Sequence, residues 1–148
     1  MGNISISGGQ WNVGGNVLVQ GLEKQGYTVD VIGGQFNIDE GKTLTLTGFS
    51  GSLANETSTL SFQGKGTLNL KFSSTDAGFS IDSAINWTEG TLQQSGGVLK
   101  INAPVTLNAF KQDGGNLIIT GVLSIAEDIK MNGNLSGNGE LKLSENAN

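Results

Sequence analysis

Apolar residues in the C-terminal half come in pairs with one residue between them, and the pairs return at a fixed interval. Leu99 and Ile101 are followed eighteen residues on by Leu117 and Ile119, and eighteen further by Leu135. A second set keeps the same interval: Val105 and Leu107, then Leu123 and Ile125, then Leu141 and Leu143. From Leu117 the beat shortens, with Leu117, Leu123, Ile129, Leu135 and Leu141 falling every six residues. A spacing of two puts both side chains of a pair on one face of a strand. A constant spacing between pairs brings the chain back to the same place after each circuit. The pattern therefore predicts stacked β-rungs, a solenoid whose turns lie one on another.

The columns extend toward the N-terminus with looser spacing. One reads Trp11/Val13, Phe36/Ile38, Leu60/Phe62, Phe79/Ile81, Leu99/Ile101, Leu117/Ile119 and Leu135. The other reads Val17/Val19, Leu44/Leu46, Leu68/Leu70, Ile85/Trp87, Val105/Leu107, Leu123/Ile125 and Leu141/Leu143. A weaker third, Val29/Val31, Leu53, Phe72, Leu92, Phe110 and Ile129/Met131, closes a three-sided coil, with Ile4/Ile6 on that side in an opening turn. Gly-Gly before an alternating apolar pair recurs at Gly8, Gly14, Gly33, Gly96 and Gly114, as repeated sharp corners require. The expected fold is all-β: a single-stranded, right-handed parallel β-helix of about seven rungs of 18–27 residues, its hand following the rule for parallel crossovers. An antiparallel sandwich is the alternative, but it has no reason to hold an eighteen-residue register. Residues 1–148 read as one solenoid domain, with surplus sequence in two loops near residues 20–28 and 49–58. Loops on a rigid scaffold are where binding concentrates. Gln20, Glu23, Lys24 and Tyr27 in the first, and Phe49, Asn55 and Glu56 in the second, are the candidate binding residues.

Composition narrows the partners. Charged residues make up only 14% of the chain, which has eight Lys, no Arg and a net charge of -5. Nucleic-acid binding needs clustered cations and is not expected. The chain has no Cys, hence neither disulfide nor thiolate site. No run is long enough for a membrane span, so insertion of this segment is not expected. Residues 1–6 lack the basic and apolar regions of a signal peptide. Rung-like sequence lies close to both termini, which predicts either a fragment of a longer array or a subunit that stacks end to end.

The run INWTEGTLQQSGGVLKINAPVTL, Ile85 to Leu107, resembles the W-x-G-G-x-L…G-G-x-L-x-I…A-x-L-x-L pattern of β-helical passenger and adhesin repeats in large bacterial surface proteins, with Glu89 where that pattern has Gly. GKTLTLTG, GKGTLNL and LSGNGELKL, beginning at Gly41, Gly64 and Leu135, resemble the same repeats. The resemblance implies a secreted or cell-surface bacterial protein, a rod-like stalk, and adhesion to a host-surface or glycan ligand. The six-residue beat from Leu117 is similar, more weakly, to the polymer-forming bactofilins.

Catalytic chemistry finds few residues to work with. With neither His nor Cys, no nucleophile–histidine pair can form, and a zinc site would have to be built from carboxylates alone. Phosphate-cradling and EF-hand calcium motifs are missing, and no cofactor is expected. One acidic arrangement competes with a non-enzymatic role. In the columns above, the corner position after the first runs Asp39, Gln63, Asp82, Asn102, Thr120. Asp39 and Asp82 then sit two rungs, about 10 Å, apart, near the upper limit for an inverting glycosidase pair. The competing assignment is a polar ladder in which Asp and Asn cap free backbone groups at turns. Trp11, Phe36, Phe62, Phe79 and Trp87 share inward positions and predict a stacked aromatic core, leaving Tyr27 as the outward aromatic.

Overall fold

A computed structural model describes residues 3–145 and contains strands without a helix. The strands are β1 (Ile4–Val13), β2 (Val17–Gln20), β3 (Thr28–Ile38), β4 (Thr43–Gly48), β5 (Ser50–Leu53), β6 (Ser61–Gln63), β7 (Thr67–Phe72), β8 (Phe79–Ile81), β9 (Ile85–Gln94), β10 (Val98–Ile101), β11 (Pro104–Ile119), β12 (Val122–Ser136) and β13 (Glu140–Leu143). All belong to one sheet, and every pairing between them is parallel. The sheet winds on itself as a three-sided β-solenoid. Leu99 lies against Leu117 and Val105 against Leu123, as the eighteen-residue register requires.

Each side carries its own column of inward residues. The first side stacks Ile4/Ile6, Val29/Val31, Gly51/Leu53, Phe79/Ile81, Leu99/Ile101, Leu117/Ile119 and Leu135. These seven passes bound six complete turns. The second side begins with Trp11, Phe36 and Phe62, continues through Trp87, Leu107 and Ile125, and ends at Leu143. The third runs Val17/Val19, Leu44/Leu46, Leu68/Leu70, Leu92/Gln94, Phe110/Gln112 and Ile129/Met131. The buried apolar residues of these columns form one continuous core.

The sequence-derived columns hold from Phe79 onward but shift by one side before it. Phe79/Ile81 stack on Gly51/Leu53, not on Leu60/Phe62, and Ile85/Trp87 continue the side of Phe62, not that of Leu68/Leu70. Phe72 is the cause. Its letter pattern suggests a side of its own, but it extends the strand of Leu68 and Leu70 opposite Gly48, so the chain turns directly from there to Phe79.

The second expected loop is also corrected. Ser50–Leu53 is strand β5, with Leu53 buried between Val31 and Ile81. Its Gly and Ser content reads as a loop, yet Gly51 is required by close packing: a Cβ there would lie 2.0 Å from the Val29 carbonyl oxygen. The first expected loop is one, from Gly21 until β3 begins at Thr28.

Aromatic stacking runs up the second side. The ring centroids of Trp11, Phe36, Phe62 and Trp87 are successively 5.6, 5.1 and 5.5 Å apart. Phe79 leaves this stack for the first side, where it meets Phe72 at 4.6 Å. Aromatic pairs at such separations contribute about 0.5–1.5 kcal/mol each beyond area burial. Trp11 closes the stack at the open end and is 37% exposed.

Candidate functional site

The two candidate acids stand on different corners. Asp39 follows Ile38 at the corner from the second to the third side; Asp82 follows Ile81 at the corner from the first to the second. The stacked row that would make them an inverting pair therefore does not exist. Asp82 instead belongs to a polar ladder. It accepts from Ser80 Oγ at 2.9 Å and from Asn102 Nδ2 at 2.8 Å, and Asn102 Oδ1 accepts from Thr120 Oγ1 at 2.8 Å. Asp39 works through its backbone, its N–H donating to the Val13 carbonyl at 3.1 Å and its carbonyl accepting from Lys42 N–H at 3.0 Å.

Residues of both expected loops meet at the corner between the third and first sides. Gly21 N–H donates to the Thr47 carbonyl at 2.7 Å, and Phe49 N–H to the Leu22 carbonyl at 3.2 Å. Ser74 N–H closes on the Phe49 carbonyl at 2.9 Å, so Phe49 is clamped between the turns above and below it. Within the first loop, Tyr27 N–H donates to the Lys24 carbonyl at 3.1 Å. Gln20, Leu22, Glu23 and Lys24 are exposed, while Tyr27 and Phe49 are half-buried. The tyrosine expected outside is thus partly covered. Leu22, which the sequence did not single out, is 54% exposed and supplies the apolar surface. A groove of about 340 Å³ beside it is lined by Asn3, Ile4, Gln20, Gly21 and Leu22.

Asn55 and Glu56 lie elsewhere, at the corner between the first and second sides. Their loop is pinned. Asn55 N–H donates to Ser83 Oγ at 2.9 Å, Asn55 Oδ1 accepts from Leu60 N–H at 3.0 Å, and Thr59 Oγ1 accepts from Gly34 N–H at 3.1 Å. Glu56 is exposed at its tip.

Two features escaped the sequence reading. At the corner between the second and third sides, Glu40, Lys65, Thr88, Glu89, Thr91, Asn108 and Glu127 line a groove of about 380 Å³. It is a consequence of unequal corners. Residues 88–90 bulge out between Trp87 and Thr91, where the next turn has only Asn108 between Leu107 and Ala109. Glu89 Oε1 accepts from Gly64 N–H at 2.7 Å, tying the bulge to the turn beneath. Among the described residues, no group of three or more His, Cys, Asp or Glu is placed to hold a metal ion.

The second feature is internal. Gln94 and Gln112 are buried in the third column, two residues beyond Leu92 and Phe110 and in line with Leu70. Gln94 Nε2 donates to the carbonyls of Gly97 and Asn116 at 3.2 and 2.9 Å; Gln112 Nε2 donates to Gln94 Oε1 and the Asn134 carbonyl at 3.2 and 3.3 Å. The pair caps carbonyls inside a tight corner. Gln112 Oε1 is buried without a hydrogen-bond partner. A signal for it stood in the sequence, as Gln-x-Gly-Gly at Gln94 and again at Gln112. Comparison of the chain with protein families, curated proteins and solved structures gives no match.

Proposed function

We propose that this chain is a non-enzymatic structural and adhesive module, a β-helical rod of the passenger or stalk type from a secreted or cell-surface bacterial protein. The observation that carries the reading is the unbroken parallel register of seven passes, which makes a rigid rod from a chain with few charges. The outward rows support it, being rich in Asn, Gln, Ser and Thr, including the bonded ladder of Ser80, Asp82, Asn102 and Thr120. Such rows hydrate the rod without a strong field. The adhesive part of the reading rests on the third-to-first corner, where Gln20, Leu22, Glu23, Lys24, Tyr27 and Phe49 converge on a rigid support. An apolar centre with a charged rim is the composition of a binding patch.

The test is retention of the purified chain on a host-cell surface or a glycan array. Leu22→Asp and Lys24→Glu, both at exposed positions, are expected to lower retention about tenfold, the scale of losing one contact worth about 1.4 kcal/mol. Unchanged retention moves the adhesive face away from this corner. Cleavage of an acidic glycan that Asp39→Ala or Asp82→Ala abolishes would replace the structural reading with an enzymatic one.

A further inference from the structure

The groove at the corner between the second and third sides carries its charges in a fixed order along the rod. Five successive turns each place one long polar side chain in it. Glu40 follows the pass of Phe36, Lys65 that of Phe62, Glu89 that of Trp87, Asn108 that of Leu107 and Glu127 that of Ile125. The series reads negative, positive, negative, neutral, negative. Carboxylates therefore recur at every second turn, about 9.6 Å apart at a strand spacing of ~4.8 Å. Spread in this way they form no metal site among the described residues. They are not neutralised by contact either, since the ion pair among the described residues joins Lys142 to Glu140, outside the groove. The groove is deepest at Asn108, a half-buried single residue between the bulge of residues 88–90 and the pair 126–127.

We infer that this groove binds an extended basic peptide in the polyproline II conformation, with a lysine or arginine at every third residue. Charge selects the cation, because three carboxylates face one ammonium. Spacing selects the conformation. Polyproline II advances ~3.1 Å per residue with three residues per turn, so every third side chain points the same way at intervals of about 9.3 Å. In a β-strand, residues three apart point to opposite faces and cannot follow the series. Lys65, between the first two carboxylates, repels a peptide bound out of phase. Asn108, between the last two, offers the peptide backbone both a donor and an acceptor. Glu89 keeps one carboxylate oxygen for the ligand, its Oε1 being held by Gly64 N–H. The inference goes beyond the adhesive reading and is independent of it, since that reading rests on the corner between the third and first sides.

Fluorescence anisotropy with a labelled peptide, Lys-Pro-Pro repeated three times, tests the inference on the whole chain. Saturable binding is expected at low salt, weakening as ionic strength rises. Glu89→Gln and Glu127→Gln are isosteric changes at exposed positions, and each should weaken binding about two- to fivefold, the scale of one exposed ion pair. Lys65→Gln should strengthen it. Asp76→Asn removes the same charge at an exposed position of another corner and should leave binding unchanged. A peptide of the same composition with its three lysines adjacent should bind less tightly, because its cations cannot meet carboxylates two turns apart. Equal binding of the two peptides would overturn the inference by removing the spacing. Equal losses in Asp76→Asn and the groove variants would overturn it as well, reducing the effect to net charge, and so would the absence of saturable binding at low salt.

Discussion

Gly90 is fixed by the ring beneath it. A Cβ at this position would lie 1.7 Å from a ring carbon of Trp87, whose Nε1–H is held by the Gly64 carbonyl at 2.9 Å. Neither the ring nor the strand can yield without breaking that bond or the aromatic stack. Gly90→Ala is therefore expected to cost about 1–3 kcal/mol, the usual range for overpacking, read as a lower urea midpoint with an unchanged slope. The buried glutamines make a second residue-scale case. Gln112→Leu removes an unpaired buried acceptor but strands Gln94 Oε1 and releases corner carbonyls. A loss of about 1–3 kcal/mol is expected for it alone. Combining it with Gln94→Leu should cost less than the two single losses together, because their mutual bond can be lost only once; denaturant midpoints of the four proteins measure the coupling.

At the scale of the element, corners decide what each turn can do. The C-terminal turns are short because glycine stacks on glycine. A Cβ on Gly115 would lie 2.4 Å from the Gly97 carbonyl oxygen, and one on Gly133 would lie 2.5 Å from the Gly115 carbonyl oxygen. Backbone packs on backbone there, and the glutamine amides satisfy the carbonyls turned inward. The N-terminal corners are longer and carry side chains that reach across turns, as Thr57 and Thr59 do against residues 32–34. This explains why Asn55 is a poor candidate for recognition despite its place in a loop: its backbone and side chain are already bonded. The loop of residues 21–27 is the freer of the two, which puts the adhesive proposal at its corner.

For the whole molecule, stacked turns interact chiefly with their neighbours, so stability is a sum of nearest-neighbour terms and fails from the ends. Interior residues such as Ile101 and Leu117 are buried on every side, whereas Leu135 and Leu143 are half exposed. Amide exchange is therefore expected to be slowest in β10 and β11 and fastest in β1, β2 and β13, measured by mass spectrometry on proteolytic fragments. Exchange that is uniform along the rod would indicate a single cooperative unit and contradict the nearest-neighbour picture.

The sequence by itself determined the parallel coil and the register of its later turns, because a period of eighteen residues with apolar pairs admits only one stacking. It also marked Trp11, Phe36, Phe62, Phe79 and Trp87 as a stacked core, but its columns put Phe79 above Phe62, where the structure has Trp87. Only the tertiary structure decided which side each early strand occupies, because uneven corners carry no period and Phe72 could be counted as a side or as the end of a strand. That decision separated Asp39 from Asp82 and brought Phe49 onto Leu22. Neither consequence is written in local spacing, since each depends on how many residues the chain spends at a corner before it returns.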